Sequence, residues 1–155
     1  MIISKPKTIL ETETIPRVEL DFMNDTHFEE VEIVRELGEA VNSFITNDNQ
    51  QSQSIITQKL NTWLDHTIAH FERENALMKE TDFLAYAIHT NEHDIALNQM
   101  KNVITAWNEN QDIDLIEDYI FAIWPAWFNQ HVNTMDMITA KFAVMNGYTN
   151  HLRSL

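Results

Sequence analysis

Apolar residues recur along this chain in steps of three and four, interrupted by three short polar breaks, and that rhythm predicts four helices. The first carries His27, Val31, Val34, Leu37, Val41 and Phe44 on one side. The stretch from Thr46 to Ser54 (TNDNQQSQS) is polar and reads as a loop or a frayed helix start. A second stripe follows: Ile56, Leu60, Trp63, Thr67, His70, Glu74, Leu77. Thr81-Asp82 then supplies a break and a candidate cap for the next helix. The third stripe reads Tyr86, His89, His93, Leu97 or Ala96, Met100, Ile104 or Val103, and Trp107, with a turn signal from Asn108 to Asp112. The fourth helix runs from about Ile113 to about Met145 and stops at Asn146-Gly147. Pro125 lies inside it and predicts a kink or a split into two pieces. Residues 1–18, punctuated by Pro6 and Pro16, read as an irregular N-terminal extension, 19–147 as the helical domain and 148–155 as a C-terminal tail. The expected fold is all-α, an antiparallel up-down-up-down four-helix bundle.

The stripes are not purely apolar. His27, His70, Glu74, His89, His93, His131 and Asp136 interrupt them, and two of the pairs (His70 with Glu74, His89 with His93) are four residues apart, one helical turn. In an antiparallel bundle, groups that face each other at one depth are equidistant from the turn joining their helices. The midpoint of His27 and His70 falls at Asp48-Asn49, that of Glu74 and His89 at Thr81-Asp82, and that of His93 and His131 on Asp112. Each midpoint lands on a break identified without reference to the histidines. At about 1.5 Å per residue the first and third turns lie roughly 30 Å from the shared level and the second about 11 Å. All seven groups are therefore expected at one depth between four helices. Imidazoles with carboxylates suit a first-row transition metal better than calcium or magnesium, which prefer all-oxygen shells. Asp136 is the irregular member. Five residues from His131 is about 140° round an ideal helix, so it needs a π-bulge or a reach from the flank.

Composition narrows the classes. With 155 residues the chain is long enough for one well-buried domain, and with 2 Gly and 3 Pro it has few turns. A net charge of −14 disfavours nucleic acid and anionic lipid as partners. The absence of cysteine removes disulfides and thiolate metal sites. Met1 to Pro16 lacks the apolar core of a signal peptide, and the longest apolar run, Tyr119 to Phe128, is too short to span a bilayer. A soluble cytoplasmic protein is the expectation.

The order of these residues resembles the hemerythrin family: a first-helix His27, then His70-x3-Glu74, His89-x3-His93 and His131-x4-Asp136, over about residues 20 to 145. Phe71 directly after His70, Leu77-Met78 one turn past Glu74, and Trp127 four residues before His131 add to the likeness. The resemblance implies a four-helix bundle holding a non-haem, oxo- or hydroxo-bridged di-iron centre, a pair of iron ions per chain. By that likeness His89, His93 and His131 ligate one iron, His27 and His70 the other, and Glu74 and Asp136 bridge both. One coordination position then stays open on the iron with fewer histidines, where family proteins take up dioxygen. Val31, Phe71, Trp127 and Phe128 are the expected lining of that pocket. The interval from His93 to His131 is longer than the family's, which lengthens the third and fourth helices equally beyond their turn.

Several residues have plainer readings. His66 lies off the stripe and is expected to be partly exposed; His151 belongs to the tail; Glu29, Glu30 and Glu32 read as a solvated helix face. Trp63, Trp107, Trp124 and Trp127 read as core, Trp127 also as pocket. The functional expectation is reversible dioxygen binding by a carrier, store or sensor input and not an enzyme, with a reductase or signalling protein as its counterpart. The runner-up is a di-iron enzyme acting on dioxygen, peroxide or nitric oxide. A zinc hydrolase lacks its H-E-x-x-H, and a metal-free bundle leaves the alignment unexplained.

Overall fold

The computed structural model describes residues 14–148. The first thirteen residues and the end of the tail, His151 included, lie outside the described residues. Within them the chain is all-helical, a bundle with no strand. Helix α1 spans Asp21–Thr46, α2 Gln50–Glu80 and α3 Tyr86–Asn110. The fourth helix, residues 113–145, is one continuous run that alternates between α (α4 Ile113–Asp118, α5 Trp124–His131, α6 Met137–Met145) and π geometry (Tyr119–Ile123, Val132–Asp136). No helix of the described residues is long and apolar enough to cross a membrane.

The sequence stripes become the buried faces. Val31, Val34, Leu37, Val41 and Phe44 from α1 meet Ile56, Leu60, Trp63 and Leu77 from α2 and Met100, Ile104 and Trp107 from α3 in one core. Trp63 packs edge-on against Trp124 at 5.5 Å, and Phe44 against Trp107 at 5.3 Å. The described part of the N-terminal segment is irregular but anchored. Ile15, Val18 and Leu20 are buried, and Asn24 clamps Val18 through both its backbone N–H (2.8 Å) and its carbonyl (2.9 Å).

Cap geometry and one widened turn decide three points that the sequence raised. The polar residues 50–54 are helical, because Asn49 and Ser52 form a reciprocal capping box that starts α2 at Gln50. Thr81-Asp82 does not cap α3, whose N-terminal neighbour Ala85 offers no side chain to do so. Instead the pair stops α2. Asp82 adopts a left-handed φ of 54°, its N–H reaches the Lys79 carbonyl and the Phe83 N–H reaches Met78 at 2.9 Å. Pro125, finally, neither splits nor ends the fourth helix. A proline ring collides with the carbonyl four residues earlier, here Phe121, which lies within the π segment. There the Trp124 N–H bonds to Tyr119, five residues back, so the widened turn absorbs the proline and the helix continues.

The stop at Gly147 is as expected. Gly147 takes φ 88°, its N–H bonds Val144 and the Tyr148 N–H bonds Ala143, the two hydrogen bonds of a Schellman motif. A Cβ there meets no atom within 4 Å, so the cost of a side chain is conformational alone. Gly147→Ala is expected to destabilise the fold by about 1 kcal/mol, and Gly147→Asn by clearly less. Denaturant melts of the two variants measure the difference.

Candidate metal centre

Each helix contributes to one buried cluster, nearer the end of the bundle where α2 turns into α3. His27 comes from α1, His70 and Glu74 from α2, and His89 and His93 from α3. His131 ends α5 and Asp136 closes the second π segment of the fourth helix. The Met137 N–H bonds Val132, five residues back, and this one-residue widening carries Asp136 round to the face of His131. The expected distortion is thus a π turn. The chain breaks at residues 47–49, 81–85 and 111–112 contain all three histidine midpoints.

All five imidazoles turn Nε2 inward, and the two carboxylates divide their oxygens between two groups. Glu74 Oε2 lies 2.8 Å from His70 Nε2 and 3.7 Å from His27 Nε2, while Asp136 Oδ2 is 3.0 Å from His27. On the other side, Glu74 Oε1 is 3.1 Å from His93 and 3.4 Å from His89, and Asp136 Oδ1 is 3.1 Å from His89 and 3.2 Å from His131. The result is a three-histidine group and a two-histidine group sharing both acids, each compact enough to hold a metal ion.

The outer ring nitrogens explain why the inner ones carry lone pairs. Nδ1 of His131 meets the Glu92 carboxylate at 2.8 Å, Nδ1 of His93 the Asn75 Oδ1 at 2.9 Å, and Nδ1 of His70 the Glu30 carboxylate at 3.3 Å. These oxygens only accept, so each Nδ1 bears the proton and, in the neutral ring, each Nε2 is left with its lone pair. His89 Nδ1 contacts the Thr139 hydroxyl at 2.8 Å. The inner atoms are short of partners. His27 Nε2 is only 3.0 Å from Asp136 Oδ2, yet neither has hydrogen-bond geometry toward any group, and the same holds for Asp136 Oδ1 and His27 Nδ1. Lone pairs converging this closely in a dry interior repel unless a cation or protons sit among them, and an uncompensated buried ion costs several kcal/mol. The donors fit a first-row transition metal.

Without metal, protons take that role. Burial opposes the charged form of His70, but the Glu74 charge and the Glu30 hydrogen bond prevail and raise its pKa to about 10. His89 is lifted to about 9 against the same burial by Asp136 and Glu74. Burial also pushes Glu74 and Asp136 up, but the surrounding histidines hold both below the ordinary carboxylate range. His93, stacked on Phe71 at 3.9 Å, is the exception, because burial wins and lowers it.

Some of the surroundings were not legible beforehand. Glu30 is not part of the solvated face expected for it. It is 2 % exposed and takes hydrogen bonds from Trp63, His66, Thr67 and His70, which overcome burial and hold its pKa at about 2. Its position three residues after His27 and four before Val34 placed it on the buried stripe, and that was the available signal. Asn75, Glu92 and Thr139 carried none. His66 is half-buried, as expected for a residue off the stripe. Of the expected pocket residues, Phe71 and Phe128 are buried and Trp127 half-buried. All three line a void of about 10 Å³ beside His70, together with Glu30, Met100 and Tyr119. Phe128 also meets the His27 ring edge-on at 5.6 Å, and Trp127 stacks on His131 at 4.6 Å. Val31 is buried in the core but does not border this void.

No family model matches the chain, and no solved structure does. Two curated proteins match it. The bacteriohemerythrin of Aquifex aeolicus is 26 % identical over 77 % of this chain and 86 % of its own length. The bacteriohemerythrin of Ralstonia nicotianae is 31 % identical over 62 % of this chain and 69 % of its own length.

Two pH effects follow. His70 and His89 are protonated at neutral pH in the metal-free chain and must lose those protons to ligate, and His27 and His131 are raised too, so metal uptake at pH 7 is expected to release at least about two protons per chain. Calorimetry in buffers of different ionisation enthalpy counts them. The stability that these raised pKa values give the metal-free fold is complete below about 6.5 and is lost as pH rises through about 9 to 10. Melts of the metal-free chain at pH 6, 8 and 10 should show a falling midpoint.

Proposed function

This chain belongs to the hemerythrin family, and on that footing we propose that it binds dioxygen reversibly at a non-haem di-iron centre, as a carrier, store or sensor input. In this reading His89, His93 and His131 hold one iron, His27 and His70 the other, and Glu74 and Asp136 bridge them. The observation that carries it is the division of carboxylate oxygens. Each acid turns one oxygen to the three-histidine group and one to the two-histidine group, the arrangement a bridged pair of ions requires. The helices are read as alternating in direction, since connections of two to five residues leave a chain little choice but to double back.

A bound ferrous pair would supply the electrons that dioxygen takes up on binding. The chain's own residues do the rest. Four outer hydrogen bonds fix ring orientation, leaving His27 as the one ligand held by packing alone. The two-histidine group has fewer donors, and the small void lies against it, bordered by Phe71, Trp124, Trp127, Phe128, Ala96 and Met100. At about 10 Å³ it suits a guest of water size, and its apolar wall keeps bulk water from the metal position. Five neutral nitrogens with only two acids favour reversible binding over oxidation chemistry, and the group lacks a spare base.

Metal analysis with an anaerobic-to-aerobic absorbance titration tests the reading. The purified chain is expected to carry about two irons, and its reduced form to change its visible spectrum on aeration and revert on deoxygenation. Zinc alone, or irreversible bleaching with peroxide turnover, would decide against it. Asp136→Ala should lower the iron content while the helical circular dichroism persists.

A further inference from the structure

Four hydrogen-bond donors from α2 converge on one α1 carboxylate that the function above does not use. Glu30 Oε1 accepts from His66 Nδ1 at 2.8 Å and from His70 Nδ1 at 3.3 Å. Its Oε2 accepts from the Thr67 hydroxyl at 2.8 Å and from the Trp63 indole. The donors recur at one-turn spacing along α2, so Glu30 is stitched to a single face of that helix. A carboxylate has about four lone-pair sites, and all are taken. Although Glu30 borders the void beside His70, it has no oxygen left with which to bind a guest there or to swing toward a metal.

Its one route to the centre is therefore through the His70 ring. The five histidines are backed unequally: His131 by the part-exposed Glu92, His93 by the Asn75 amide, His89 by the Thr139 hydroxyl, and His27 by nothing. Only His70 is backed by a fully buried carboxylate, and it lies in the group with fewer nitrogens. A charged acceptor behind a ligating imidazole fixes its tautomer and raises its basicity.

We propose that Glu30 is a positioning residue for the two-histidine metal position, holding His70 by its Nδ1–H and strengthening its Nε2 as a donor beside the pocket. The inference rests on the di-iron reading above. It accounts for a buried acid, saturated with donors, beside a pocket whose other wall is apolar.

The test compares the full wild-type chain with E30Q and with E32Q, which removes an exposed charge from the same helix. Glutamine has one acceptor oxygen in place of two, so it cannot satisfy all four donors. E30Q is expected to bind ferrous iron about 10- to 100-fold more weakly and to show a higher midpoint potential, with E32Q matching wild type in both. Nitrogen-15 histidine NMR of the zinc-loaded wild-type chain reads the contact without any substitution. The His70 Nδ1–H should appear as a downfield, slowly exchanging proton. A fast-exchanging or missing proton overturns the proposal, and this measurement decides alone if E30Q does not fold. Normal iron loading with E30Q within twofold of wild type in affinity, and unmoved in potential, overturns this inference only. A wild-type chain that takes up no iron overturns both it and the di-iron reading.

Discussion

Two carboxylates with no access to water, Glu74 and Asp136, are the constraint on which the bundle interior is organised. Neither is tolerable there without compensation, and each is surrounded by inward-facing imidazole nitrogens, Glu74 by His27, His70, His89 and His93 and Asp136 by His27, His89 and His131. The surrounding structure serves that arrangement. Carboxylates and amides on the outer ring face fix which nitrogen carries a proton, aromatic rings stack on His93 and His131, and the π turn delivers Asp136. The site is thus an electrostatic problem with two solutions, protons or a bound cation among the converging oxygens and nitrogens.

The two halves of the cluster are unlike. The three-histidine group has outer partners on every ring, whereas the two-histidine group has one ring fixed by a buried acid and one, His27, packed against Phe128 with neither nitrogen hydrogen-bonded. In the proposed reading the open coordination position falls on that second half, and the void lies beside its His70. In a symmetric cluster an incoming molecule would have no preferred side. Here the side is written into the packing.

Much of this was legible in the sequence because helical periodicity and turn chemistry are local. The stripes of the first three helices are the buried faces, and the midpoints of the histidine pairs fall in the chain breaks. Even the awkward five-residue step from His131 to Asp136 announced a distorted turn. What could not be read depended on partners distant in sequence or on cap geometry. Glu30 resembles its exposed neighbours Glu29 and Glu32 in type and differs only in phase, and its four donors lie 33 to 40 residues away. The capping box at Asn49 turns a polar, loop-like string into the first turn of a helix. Pro125 does not split its helix, because a widened turn upstream removes the clash by which proline ordinarily breaks one.

The fourth helix contains two of these widened turns, at Tyr119–Ile123 and Val132–Asp136. Each inserts one residue without lengthening the hydrogen-bonded ladder by a full step, so each rotates everything downstream by about 100° relative to a regular helix. Ala140 and Ala143 are buried on the far side of both insertions, and they face inward only because the phase has slipped twice. The helix therefore behaves as a combination lock with two dials. With both dials kept, losing a single residue between them would turn His131 away from the centre, whereas losing one inside the second would let it close to an ordinary turn and leave Asp136, then four residues from His131, still on its face.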